Sequence, residues 1–203
     1  NMSSSILNEI RFPKIDVNLN VNKGSMADQV GSLMPKLSRE FLSQGIELLI
    51  VYGDVNATMA AAIVGSHLHI PIVHIEAGLR SRDESMPEEI NRKITDTVSS
   101  YLFTTSQDAI ENLVNEGVSK SKISLVGNTM IDTLKSMESD WDKSKILNEL
   151  GLSNLGYCLV TLHRPSNVDK FHDLKRSLDF VNEVSKHTDV VFPVHPRTHS
   201  KLV

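Results

Sequence analysis

The sequence predicts an α/β protein built on a doubly wound parallel sheet, and three observations carry that expectation. Short apolar runs alternate with amphipathic stretches of helical period along most of the 203 residues. The runs themselves, such as Leu48-Leu49-Ile50-Val51-Tyr52, are continuously apolar, as strands are when both faces of a parallel sheet are covered. Several runs also end abruptly in glycine or in polar residues, at the edge where open parallel sheets bind ligands.

Met26, Val30, Leu33, Met34, Leu37 and Phe41 recur at spacings of three and four and predict a helix over 26–42, kinked at Pro35. Gln44-Gly45 closes it, and strand 48–52 follows and ends at Gly53-Asp54. The pattern then repeats as helix 58–67, strand 72–75, a polar loop to Met86, helix 88–98, strand 101–104, helix 107–116 and strand 123–126. After Gly127-Asn128 it loosens through Ser139-Asp140-Trp141-Asp142-Lys143, where a hinge is expected. A second unit begins with strand 157–162, a helix carrying Phe171, Leu174, Leu178 and Val181, and strand 190–194. The expected domains are thus 1–128 and 129–203. Two strands and one helix are too few to bury a core, so the second domain is expected to be incomplete.

Composition narrows the partners. With a formal net charge of -4 there is no basic surface to neutralise nucleic-acid phosphates or an anionic membrane. No apolar stretch reaches the roughly 20 residues of a membrane span, and the start, Asn-Met-Ser-Ser-Ser-Ile, lacks a signal-peptide pattern; a cytoplasmic location is the default expectation. The single cysteine, Cys158, sits in an apolar run and reads as a buried thiol. There is no G-x-G-x-x-G after a strand, no P-loop, no H-E-x-x-H and no C-x-x-C, so dinucleotide, nucleotide-loop and metal readings lack support and no cofactor is expected.

The polar residues just beyond the strands are the candidates for chemistry. Asp54 follows the first, Glu76-Ala77-Gly78-Leu79-Arg80 the second, and His163-Arg164 the run from Tyr157. Sequential βαβ units place their strands side by side, which would bring Asp54 and Glu76 together at one crevice. Two nearby carboxylates shift each other's ionisation towards the neutral range needed for proton transfer. Taken alone, Asp54 serves equally as a helix cap or turn residue. Glu76, adjoining a buried strand, needs a partner such as Arg80 or a ligand. In Pro87-Glu88-Glu89-Ile90-Asn91-Arg92, a helix start with Glu88 paired to Arg92 competes with a polar face of Glu88, Asn91, Arg92 and Thr95, distinct from the apolar face of Ile90, Ile94 and Val98, turned into the crevice. His163-Arg164-Pro165 and His195-Pro196-Arg197 each set an imidazole close to a guanidinium after a strand, an arrangement suited to an anionic substrate. The remaining histidines His67, His69, His172, His187 and His199 have no metal-ligand spacing.

Tyr52-Gly53-Asp54, His74-Ile75-Glu76-Ala77-Gly78-Leu79-Arg80, Met86-Pro87-Glu88-Glu89-Ile90-Asn91-Arg92, Val126-Gly127-Asn128-Thr129-Met130-Ile131-Asp132 and Leu162-His163-Arg164 resemble, in this order, the motifs of UDP-N-acetylglucosamine 2-epimerases. The resemblance covers nearly the whole chain. It implies two Rossmann-like domains in a glycosyltransferase-B-like architecture with a UDP-sugar as ligand, in some members a second, regulatory one, and a homodimer at full length. It also implies that the family's opening strand and most of the second domain are absent, so that the fragment itself would be inactive.

By motif position the resemblance carries over Asp54, Glu76, Glu88 and His163 as catalytic residues. Arg80, Asn91, Arg92, Arg164 and His195 become ligand contacts. Glu76-Ala77-Gly78-Leu79-Arg80 and Pro87-Glu88-Glu89-Ile90-Asn91-Arg92 match the non-hydrolysing type rather than the type that releases free N-acetylmannosamine. Pro165-Ser166 departs from the Arg-Glu of many bacterial members, which leaves open an epimerase of a modified sugar such as a diacetamido uronic acid. Outside that chemistry, the sequence is compatible with a non-catalytic sugar-nucleotide binding module and, less well, with a glycosyltransferase that retains the same fold.

Overall fold

A computed structural model describes residues 12–21, 24–141, 143–152 and 156–202. Residues 1–11, which bear on the signal-peptide reading, and Asp142 of the expected hinge lie outside them. The first helix, α1 (Met26–Gln44), opens on a capping box in which Ser25 and Asp28 satisfy each other's backbone amides, and it is continuous through Pro35. The expected alternation follows as β1 (Leu49–Tyr52), α2 (Asn56–His67), β2 (Ile72–Ala77), α3 (Pro87–Val98), β3 (Tyr101–Thr104), α4 (Gln107–Asn115) and β4 (Ile123–Leu125). The four strands form one parallel sheet in the order β1-β2-β3-β4.

Val51, His74 and Leu102 are cross-strand partners and form a buried row across this sheet. Val51 packs with Ala61, Ala62 and Ile72 against Leu37 and Phe41, while Leu102 packs with Ala77 and Leu113 against Val118 and Ile123. Full burial of side chains such as Ile72, Leu102 and Leu113 contributes about 1.5–3 kcal/mol each. On the opposite face Ile50, Tyr52 and Tyr101 are exposed. Among the described residues the first apolar run is therefore covered on one face rather than two, because helices α1 to α4 pack on the side that carries Val51, His74 and Leu102.

The chain divides into compact units at Thr133/Leu134, within α5 (Thr129–Ser136). The boundary expected after Asn128 stands at the start of that helix. The second unit continues through α6 (Glu138–Trp141) and α7 (Ile146–Glu149) to β5 (Tyr157–Leu159), α8 (Pro165–Val168), α9 (Phe171–Ser185), β6 (Asp189–Val191) and α10 (Pro196–Leu202). β5 and β6 pair in parallel, Cys158 opposite Val190. Both strands are shorter than the apolar runs predicted. Val160 still donates its amide to Val191, so the chain stays extended just past β5.

Candidate active site at the carboxyl edge of the first sheet

The parallel register of Tyr52 with Ile75 puts the turn after β1 beside the end of β2. Gly53, at φ 62, donates its amide to the Ile75 carbonyl at 3.1 Å, and a β-carbon in its place would lie 3.6 Å from Glu76 Oε2. The turn bearing Asp54 and the carboxylate of Glu76 are thus neighbours across two adjacent strand ends, the arrangement expected from topology.

Three successive carbonyls in that turn are held by side chains. Tyr52 O accepts from Thr58 Oγ1 at 2.6 Å, Gly53 O faces His74 Nε2 at 2.9 Å, and Asp54 O accepts from Asn91 Nδ2 at 2.9 Å. Asp54 does not cap α2; Val55 holds the cap position without a side-chain bond. Its carboxylate instead accepts from Arg92 Nη2, and Arg92 Nη1 lies 3.7 Å from Glu89. Arg92 therefore pairs with Asp54 and Glu89 rather than with Glu88. Among the described residues, Asn91 Oδ1 and Arg92 Nε have no hydrogen-bond partner, so both retain polar capacity beside Asp54.

Glu76 occupies a bulge where the β2–β3 register shifts between Ile75 and Ala77, with φ at 74. A left-handed backbone costs a side-chain-bearing residue about 1–2 kcal/mol, so neighbouring contacts must enforce it. Gly78 supplies one: a β-carbon there would lie 2.5 Å from the Ala109 carbonyl and 2.9 Å from Leu113, so only glycine lets this segment approach α4. Asn112 Nδ2 donates to the Gly78 carbonyl at 3.0 Å.

The remaining support is a chain of buried charges. His74 Nδ1 lies 2.7 Å from Asp96 Oδ1, and Asp96 Oδ2 receives the Gly78 amide at 3.2 Å and Arg80 Nη1 at 2.8 Å. Arg80, expected to partner Glu76 or the ligand, is 3% exposed and binds Asp96 and, through two bonds of 2.8 and 2.6 Å, Glu116. Burial alone would lower its pKa; Glu116 and Asp96 outweigh this and hold it above the usual guanidinium value. The Arg80 guanidinium is thus taken up in supporting the strand end.

Of the two glutamates that open α3, Glu88 is exposed while Glu89 is 1% exposed. Glu89 Oε2 accepts from the Ser81 amide at 2.8 Å and the Ser81 hydroxyl at 3.1 Å, pinning the loop after Arg80. Burial pushes its pKa up, but the Ser81 bonds, the Arg82 amide and Lys93 keep it below the ordinary carboxylate value. The buried side of α3 is Glu89, Asn91, Thr95 and Asp96, whereas Ile90, expected on an apolar packing face, is exposed.

In the second unit the structure brings His163 and His195 together, ring centroids 5.6 Å apart. Both rings and Arg164 are exposed. The Arg197 amide donates to His195 Nδ1 at 3.1 Å, and the Arg197 side chain pairs with Asp169 through bonds of 2.8 and 2.7 Å. The Arg197 pairing keeps the Asp169 carboxyl below its ordinary pKa.

Sequence reasoning passed over His74, Glu89 and Asp96 as working residues. A signal existed for each. An ionisable ring inside an apolar strand requires partners, and Glu89, Arg92 and Asp96 recur at spacings of three and four along α3.

Comparison with known proteins gives the family. The family model described as UDP-N-acetylglucosamine 2-epimerase matches residues 1–203. The UDP-N-acetylglucosamine 2-epimerase of Methanococcus maripaludis is 40% identical over 208 residues, covering 100% of this chain and 57% of the relative. The UDP-2,3-diacetamido-2,3-dideoxy-D-glucuronate 2-epimerase of Pseudomonas aeruginosa is 38% identical, with coverage of 100% and 57%. The crystal structure of the Methanocaldococcus jannaschii UDP-GlcNAc 2-epimerase in complex with UDP-GlcNAc and UDP matches with a TM-score of 0.88 at 36% identity, over 98% of this chain and 56% of that one. The Rickettsia bellii UDP-N-acetylglucosamine 2-epimerase matches with a TM-score of 0.87 at 29% identity, over 100% and 54%. The α/β fold class predicted from the sequence is that of these enzymes, and the chain spans somewhat over half the length of the relatives it matches. This chain belongs to the UDP-N-acetylglucosamine 2-epimerase family.

Proposed function

We propose that the chain is part of a non-hydrolysing epimerase that interconverts UDP-N-acetylglucosamine and UDP-N-acetylmannosamine by elimination and re-addition of UDP. The observation that carries this reading is the pair of adjacent strand ends bearing Asp54 and Glu76, held by a buried polar network. The C2 proton of the sugar is weakly acidic, so its removal is coupled to loss of UDP. A carboxylate takes the proton, the C2–H electron pair forms the C1=C2 bond, and the C1–O bond breaks with its pair passing to UDP. Return of a proton to the opposite face of C2, with re-addition of UDP at C1, inverts the centre. Asp54, Glu76 and Glu88 serve as the proton-transfer set. His163, Arg164 and His195 receive the diphosphate, Asn91 and Arg92 set the Asp54 turn, and Arg80 supports it from behind.

The 38% identity to an enzyme of a diacetamido uronic acid favours a second substrate class for the same chemistry. Since the chain spans 57% of its relatives, turnover belongs to a full-length polypeptide, expected to be a cytoplasmic homodimer with a regulatory UDP-sugar, and these 203 residues alone should be inactive. The test offers both UDP-sugars to the full-length protein in deuterated water. Epimer carrying deuterium at C2 is expected, with Asp54→Asn reducing turnover by about 10²–10⁴-fold. Epimerisation without deuterium, or release of free N-acetylmannosamine as the main product, overturns the reading.

A further inference from the structure

We infer that His74 and Asp96 are a positioning pair that fixes the Asp54 turn and the Glu76 bulge relative to one another. The inference rests on the epimerase reading for its kinetic consequence and on geometry for its structural one. His74 is fully buried in the middle of β2 and is the only polar member of the Val51, His74, Leu102 row. An unpartnered ring there would cost several kcal/mol, on the order of the penalty for any buried polar group without bonds. Both of its nitrogens are used, Nδ1 towards Asp96 on α3 and Nε2 towards the Gly53 carbonyl on the turn after β1. A ring spanning a helix and a neighbouring strand's turn sets the distance between them.

Asp96 completes the frame. One oxygen holds His74, two residues before Glu76 in the chain; the other accepts the amide of Gly78, two residues after it. The same carboxylate thus grips β2 on both sides of its left-handed bulge, while Arg80, itself paired with Glu116, balances its charge. Because His74 also grips Gly53, the residue before Asp54, the two reacting carboxylates hang from one rigid unit that touches neither of their side chains. Positioning of this kind matters because a misplacement of about 1 Å can cost about 100-fold in rate.

The test compares the full-length protein with His74→Leu, His74→Gln and Asp96→Asn. UDP-binding stoichiometry gives the competent fraction, to which kcat is normalised. In His74→Leu, kcat is expected to fall by about 100-fold with KM held within about threefold. The glutamine amide still reaches the Gly53 carbonyl, so His74→Gln should recover about tenfold of that loss. In an Asp54→Asn background His74→Leu should cost little more, since it acts through the same group. A loss that tracks the competent fraction, or losses that simply add, overturn the inference. Amide hydrogen exchange at residues 53–56 and 76–78, read in the same variants, should accelerate while α4 stays protected. If the unaltered protein does not epimerise, the proposed function falls and the exchange result alone decides the positioning claim: unchanged exchange overturns it. Should His74→Leu fail to fold, the two polar substitutions carry the same readouts.

Discussion

The strand ends of the two units present similar chemistry in opposite physical states. After β1 and β2, the candidate carboxylates stand on backbone held by Thr58, His74, Asn91 and Asp96, all of them buried. Beyond β5 and β6, His163, Arg164 and His195 stand exposed, although the buried Thr198 hydroxyl holds the Leu162 carbonyl and the Arg197 amide meets His195 Nδ1. The packing beneath differs to match. The first unit buries rows of apolar residues, whereas the second leaves Phe171 81% and Phe180 70% exposed over a two-stranded sheet. On the proposed mechanism, the groups that move the proton are the ones whose backbone is held by buried partners, as a preorganised site requires.

The sharpest way to break this comparison is to remove one support from each side. Asp96→Ala removes one of the partners of the buried Arg80 guanidinium and of the His74 ring, and loss of one partner from such a cluster costs about 3–5 kcal/mol. His195→Ala removes an exposed ring and should change stability by less than about 0.5 kcal/mol. Urea unfolding of both variants measures the contrast; comparable losses would erase the distinction between a built and an open site.

A smaller effect sharpens the same point through pH. Glu89 is held below the ordinary carboxylate pKa, so the folded state binds its proton less readily than the unfolded chain does. Its contribution is fully present above the ordinary value of about 4.3 and is lost as pH falls through the depressed folded value. Glu89→Gln weakens the charge-assisted bonds from Ser81 and should cost about 1–2 kcal/mol at pH 7. That difference should vanish in strong acid, as read by urea midpoints taken from pH 7 downwards. A difference that persists at low pH would show that packing, not charge, is what Glu89 supplies.

How far the sequence reaches follows from which interactions it can display. Strand positions were legible because apolar runs of strand length stand out between helical periods, and the adjacency of Asp54 and Glu76 followed from βαβ topology. The orientation of α3 was not. Periodicity separated Ile90, Ile94 and Val98 from a polar face without deciding which turns inward; Val98 does pack on the core, yet Asp96 and Asn91 are buried against partners that lie 22 and 37 residues away in the chain. A hydrophobic pattern cannot reveal a polar face whose partners arrive from other strands. For the same reason it could not rank Glu88 against Glu89, which share a composition and a helix turn but differ in burial.

The smallest effect concerns the bulge itself and separates function from stability at one position. Glu76 sits at φ 74, which costs a non-glycine residue about 1–2 kcal/mol relative to glycine. Glycine would relieve that cost but adds unfolded-chain entropy of about 0.4–1 kcal/mol, so Glu76→Gly should stabilise the chain by about 0.5–1 kcal/mol in urea unfolding. The same variant loses the carboxylate and, on the proposed mechanism, turnover of the full-length enzyme. A gain in stability together with loss of activity would identify the left-handed glutamate as strain retained for its chemistry. A loss of both would mean that the Glu76 side chain itself helps hold the strand end, and the first unit's site would then depend on its reacting groups as well as on the frame around them.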